Sequence, residues 1–157
     1  MRNVPQIFWG FAALTVGALL AFSDHVTPRA GPESSAARAQ NEVEQMLPGT
    51  WLREYSADEV KARRVLQLAA DGGFREMVRA TDASGQAIEH VHEGTWLYDG
   101  TNLKRKYTLM NGRPPSRLNL PFATFQIAFE TRNEFVGTDH IHRNSIRYRR
   151  VADGTQP

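Results

Sequence analysis

From Pro48 to Val151 the chain is cut by turn signals into eight short segments, and this regular punctuation constrains the fold more than any other feature. The segments are Gly49 to Tyr55, Arg63 to Ala69, Phe74 to Thr81, Ala87 to Tyr98, Asn102 to Met110, Ala123 to Glu130, Glu134 to Thr138 and Ser145 to Val151. Asp71-Gly72-Gly73, Asp82-Ala83-Ser84-Gly85, Asp99-Gly100 and Thr131-Arg132-Asn133 separate several of them, and Asp-Gly is a strong two-residue hairpin signal. Apolar residues alternate with polar ones inside the segments, which is the period of a strand with one buried face. The expected fold is all-β: an antiparallel up-and-down meander of eight strands, closed as a barrel or strongly curled.

Connection lengths sort by end. If the first strand runs upward, the bottom holds tight turns at Asp71-Gly72-Gly73, Asp99-Gly100 and Arg132-Asn133. The top holds Ser56 to Ala62, Thr81 to Gln86, Asn111 to Pro121 and the turn near His140 to Asn144, of which three read as longer. A cup with one tight end and one open end is the form of a ligand-holding barrel.

Gly49-x-Trp51 opens the first strand and Tyr148-Arg149-Arg150 closes the last. In these features the sequence resembles the lipocalin-like (calycin) domains, in particular the compact ones of bacterial exported proteins, over about Leu47 to Val151. The resemblance implies that Trp51 sits at the closed end and that Arg149 or Arg150 packs across it. It also implies a small hydrophobic ligand. A Thr-Asp-Tyr motif near the sixth or seventh strand and a C-terminal helix, both family features, are missing from the sequence, so the chain reads as a shortened relative.

Ahead of the barrel, Ile7 to Phe22 is uncharged and follows Arg2. As a helix it would be about 24 Å long, against about 30 Å for a hydrocarbon core. Residues 1–23 therefore read as a signal peptide or a membrane anchor, and both leave the body exported, with Arg2 on the cytoplasmic side. The expected location is periplasmic, free or held at the inner membrane. Residues 24–46 have linker composition with room for a short helix from Glu33 to Leu47, and 153–157 form a tail. The chain has no cysteine, which excludes disulfides, thiolate metal sites, cysteine nucleophiles and a lipoprotein anchor.

Net charge is only +2 from 19 basic and 17 acidic side chains, and the basic runs alternate between strand faces, so no nucleic-acid stripe forms. No G-x-S-x-G elbow and no phosphate-binding glycine loop is present, so the sequence favours a binding protein over an enzyme and implies no cofactor.

Alternation gives an inward set rich in large side chains, and with it the polar residues Arg53, Glu76, His90, His92 and Arg105. The expected ligand-binding residues are Arg53, Tyr55, Glu76, His90, His92, Arg105, Tyr107, Phe125 and Ile127. Arg53 and Arg105 would face an anionic head group, with Tyr107, Phe125 and Ile127 along an apolar tail. Alternatively Arg53 and Glu76 neutralise each other and the barrel is filled, serving as a protein-interaction module of the envelope through its Pro-rich loop Asn111 to Pro121. A third reading is a metal held by His90 and His92, two apart on one strand face, with His140 and His142 at the same rim. Gly94, inside a long strand, predicts a bulge or the close approach of a neighbour.

Overall fold

The computed structural model describes residues 32–118, 120–139 and 143–157. The expected signal or anchor segment and the histidines His140 and His142 lie outside the described residues. Among those described, no helix is long and apolar enough to cross a membrane.

One helix, α1 (Pro32–Met46), precedes eight strands: β1 (Gly49–Ala57), β2 (Val60–Leu68), β3 (Gly73–Thr81), β4 (Ala87–Tyr98), β5 (Asn102–Met110), β6 (Phe122–Thr131), β7 (Glu134–Asp139) and β8 (Ser145–Val151). Each strand pairs antiparallel with the next, and β8 pairs back onto β1 through Thr50–Val151, Trp51–Arg150 and Leu52–Arg149. The result is a closed up-and-down barrel with no free edge.

Two top connections are tighter than their composition suggests. β1 turns into β2 through Asp58 and Glu59 alone, with Ala57 paired to Val60 and Asp58 at φ 53°. After β5, Asn111 (φ 51°) and Gly112 (φ 73°) form a two-residue turn, and Met110 and Arg113 exchange both backbone hydrogen bonds across it. Positive φ at both central positions is what the favoured hairpin turn requires, and Asn-Gly supplies it. The long loop therefore begins at Arg113, not Asn111.

The bottom of the barrel is packed solid. Trp51 (0% exposed), Leu66, Leu68, Phe74, Leu103, Ile127, Phe135, Ile146 and Tyr148 form one buried cluster, and Leu47 and Val43 cap it from below. Trp51 meets Phe135 edge-on at 4.8 Å and Phe129 at 5.9 Å, and Phe135 stacks on Tyr148 at 5.1 Å. Such ring pairs contribute roughly 0.5–1.5 kcal/mol each beyond their buried area.

Arg150 closes this end. Its guanidinium lies 4.2 Å above the Trp51 ring, and it donates to the carbonyls of Pro48, at 2.9 Å, and Met46. Trp51 in turn donates from its indole nitrogen to Leu47 O at 2.8 Å. Gly49 makes room: a Cβ there would fall 2.2 Å from the Arg150 guanidinium, and the residue's φ of +135° is one that side chains rarely adopt. Arg149 takes the opposite face and pairs outside with Glu54 at 3.3 Å. Of the two arginines expected across Trp51, the closing one is Arg150, because alternation allows only one of two neighbours to point inward.

Gly94 marks both features expected of it. The β4–β5 register shifts between Glu93 and Gly94, and a Cβ at Gly94 would fall 1.9 Å from Lys106 O.

The C-terminal residues fold back on the outer wall. Leu52, Val65, Met77 and Val91 are direct partners across β1 to β4, and the first three are almost fully buried although they face outward. Asp153 accepts from Thr50 Oγ1 at 2.6 Å, and Gln156 and Pro157 border a groove with Met77 and Val91.

Candidate functional site

Strand register stacks three rows of inward side chains across β1 to β4. The lowest is Trp51, Leu66, Glu76 and His92; the next is Arg53, Arg64, Val78 and His90; the one nearest the mouth is Tyr55, Ala62, Ala80 and Ile88. Bulk falls toward the mouth, where two alanines share the top row and Ile88 is 57% exposed. Above the filled base the inward side chains thin out, though Ala62 and Val78 stay buried, and the cavity at this end is a cleft beside His90 and His92.

Below the mouth the barrel interior is charged. Glu76 (1% exposed) receives Arg105 Nη1 at 2.6 Å and Arg64 Nη1 at 3.1 Å on one oxygen, and Tyr107 OH at 3.3 Å on the other. Arg105 (2% exposed) has its guanidinium 5.5–5.6 Å from the rings of Phe74, Tyr107 and Phe125. Burial pushes the Glu76 carboxyl up, but the charges of Arg105 and Arg64 outweigh it and hold the group at about 2. Burial pushes the Tyr107 hydroxyl up to about 12, so it stays a donor.

Two guanidiniums on one carboxylate leave the trio with one surplus positive charge. Its hydrogen bonding is incomplete as well: Arg64 Nε, Arg105 Nε, Tyr148 OH and His92 Nδ1 are buried and find no partner among the described residues. A buried polar group left in this way costs about 1–3 kcal/mol. Arg64 is the more exposed of the two arginines, its side chain 24% exposed against 2% for Arg105.

Beside this cluster, His90 and His92 stack with ring centroids 6.0 Å apart, and His92 meets Tyr107 edge-on at 5.8 Å. Asn111 Oδ1 accepts from Val91 N at 2.9 Å, which fixes the amide orientation and turns Nδ2 to His90 Nδ1 at 3.0 Å. The Asn111 amide thus matches the His90 tautomer that carries its hydrogen on Nε2. Burial lowers the pKa of His92, a shift Glu76 partly offsets. Both rings, with Met110, Asn111, Pro114, Pro115 and Ser116, line a cleft of about 410 Å³ at the mouth.

The expected residues separate accordingly. Glu76, Arg105 and Tyr107 meet below the mouth, and His90 and His92 stand at the wall. Arg53 lies over the Tyr55 ring at 4.2 Å, one row above Glu76; Glu76 is neutralised by Arg64 and Arg105, not by Arg53. Phe125 packs on Arg105, and Ile127 belongs to the packed base. Among the described residues no three His, Asp or Glu side chains come together as metal ligands.

Arg64 and Asn111 are the residues that sequence reasoning missed. Arg64 shares the inward phase of Leu66 and Leu68, and alternation applied to it directly finds it. Asn111-Gly112 carries the same hairpin signal as Asp99-Gly100.

The closed eight-stranded antiparallel barrel is compatible with a lipocalin-like fold. No family model matches the chain, and no curated protein matches it at a significant level.

Proposed function

We propose that the protein is an exported, lipocalin-like binding protein that takes a small amphiphile with an anionic head group into the open end of its barrel. The observation that carries this reading is the buried Arg64–Glu76–Arg105 trio, which has one surplus positive charge and unpartnered donors directly under the mouth. A carboxylate approaching from above meets Arg64 first, the more exposed of the two arginines. Its oxygens would complete the hydrogen bonding that the protein leaves open, and charge-assisted bonds are the strong ones. Because the base is filled, the apolar part of such a ligand points toward Ile88, Met110 and the proline-lined cleft, not down toward Ile127. The uncharged N-terminal run is the basis for placing the protein in the envelope, free or anchored at the inner membrane.

Calorimetric titration with octanoate and octanol tests the reading. Octanoate is expected to bind at least about tenfold more tightly than octanol, and Arg64→Gln to remove that preference. Equal binding of both, or of neither, would overturn it. The packed base also fits a second reading, a filled barrel that acts as a protein-interaction module. Native mass spectrometry of protein from an exporting host separates the two: bound lipid mass supports the carrier, a clean apo mass the module.

A further inference from the structure

The exposed apolar side chains are not scattered. Of the six large ones exposed among the described residues, Val60, Ile88, Leu118, Leu120 and Phe122 are at the open end of the barrel, and Leu97 is near the bottom. Leu118 is 96% exposed and Leu120 82%, both within the long β5–β6 connection, and Phe122, which opens β6, is 60% exposed. Apolar side chains projecting singly from a loop are ordinary; three within five residues, at the rim of a barrel, call for an explanation.

Charge supplies one. From Thr101 to Phe129 the sequence contains Lys104, Arg105, Lys106, Arg113 and Arg117 and no Asp or Glu. Lys104 is paired with Asp99 and Arg105 with Glu76, while Lys106, Arg113 and Arg117 have no ion pair among the described residues. Lys106 is the register partner of Phe122, so it stands at the root of the same loop. Of the acids at the open end, Asp58, Glu59 and Asp82 occupy the β1–β2 and β3–β4 turns, with Lys61 beside them, and Asp139 ends β7. The β5–β6 side of the rim thus carries cations interleaved with leucines and a phenylalanine and no carboxylate of its own.

We infer that the β5–β6 loop is a membrane-docking element that sets Leu118, Leu120 and Phe122 into the interface of an anionic bilayer, with Arg113, Arg117 and Lys106 against the lipid head groups. A bilayer suits this surface better than a protein does. Leu118 and Leu120 are almost wholly exposed on one loop, as side chains that insert into an interface must be, and cations with no ion pair among the described residues match a surface of diffuse negative charge. Docked in this way the barrel tips onto its β5–β6 side, and the mouth cleft, which shares Pro114, Pro115 and Ser116 with the loop, opens at lipid depth. The inference goes beyond the carrier reading and does not depend on it, since the surface would bind a bilayer whether or not the barrel holds a ligand.

The absence of cysteine allows a clean test in the full chain, where the N-terminal apolar run cannot be mistaken for the loop. Ser116→Cys and, at the bottom turn, Thr101→Cys are each labelled with an environment-sensitive fluorophore. Vesicles of phosphatidylcholine, alone or with phosphatidylglycerol, are added and iodide quenching is measured. The label at 116 is expected to become shielded on the anionic vesicles only, while the label at 101 stays open to quencher. Arg113→Gln with Arg117→Gln should weaken vesicle binding about 30-fold, about fivefold for each arginine. High salt should act in the same direction, and Leu118→Ser with Leu120→Ser should abolish the shielding at fixed lipid. A label at 116 that stays quenchable on anionic vesicles overturns the inference. So does equal shielding at 116 and 101, which would show the N-terminal segment alone bringing the chain to the bilayer. Shielding by a membrane-free extract but not by vesicles would overturn it in favour of a protein contact.

Discussion

Two arginine sites in this barrel use the same materials to opposite ends. At the bottom, Arg150 lies 4.2 Å over Trp51 and donates to two backbone carbonyls, leaving none of its buried nitrogens without a partner among the described residues. At mid-height, Arg105 sits among three rings and Arg64 joins it on Glu76, yet each retains a buried Nε that no described residue answers. An arginine that is satisfied by neutral, fixed carbonyls holds structure together. One that shares a single carboxylate and keeps a donor in reserve is what the proposed anionic ligand would use, and the fold carries the cost of that reserve.

The strongest way to break this contrast is at Glu76. Glu76→Gln strands two buried guanidiniums beside one another, and a loss of about 3–5 kcal/mol is expected by urea denaturation. Replacing the whole trio, Arg64→Met with Glu76→Leu and Arg105→Met, should by contrast leave stability within about 1 kcal/mol of wild type or raise it, while octanoate binding disappears. If the triple variant is as unstable as the single one, the trio is structural and the contrast fails.

Acid reads the same site more gently. The Glu76 carboxyl is depressed from its ordinary 4.5 to about 2 in the folded state. Its contribution is therefore complete above pH 4.5 and is lost as pH falls from there through 2, about 3 kcal/mol in all. His92, whose pKa is lowered by burial, resists protonation and begins the loss earlier, below its ordinary 6.5. Denaturation midpoints taken from pH 7 to 2 should show the steeper decline in wild type than in Glu76→Gln; parallel declines would assign acid sensitivity elsewhere.

The smallest effects sharpen the bottom end. Arg150→Met removes the guanidinium from Trp51 and should cost about 2 kcal/mol. Its sequence neighbour Arg149, half-exposed against Glu54, should cost no more than about 0.5 kcal/mol as Arg149→Gln. Equal losses in the two thermal melts would contradict the assignment of Arg150 as the closing residue.

Strands β4, β5 and β8 have the bounds their sequences suggest, because alternation and glycine turns act locally and each segment carries both. The inward phase of Glu76, His90, His92 and Arg105 was legible for the same reason. Which inward charges touch was not. Arg53 and Arg64 are direct partners across β1 and β2, so only the register decides that Arg64, and not Arg53, reaches down to Glu76. Likewise the depth to which the base is filled depends on how Phe129, Phe135 and Tyr148 interlock from three strands, which no single segment encodes.

The ring closure has a kinetic side. β8 is both the last strand and the partner of the first, and Arg150 reaches back 102 residues to Pro48 and 104 to Met46. Contacts so distant along the chain form slowly, because the intervening loop must be closed before they return any energy. Until Arg150 and its strand are available, β1 keeps an unsealed edge and Trp51 lacks its cover. A chain delivered from its N-terminal side, by synthesis or by passage across a membrane, therefore cannot complete this barrel piecemeal; the ring stays open until β8 arrives.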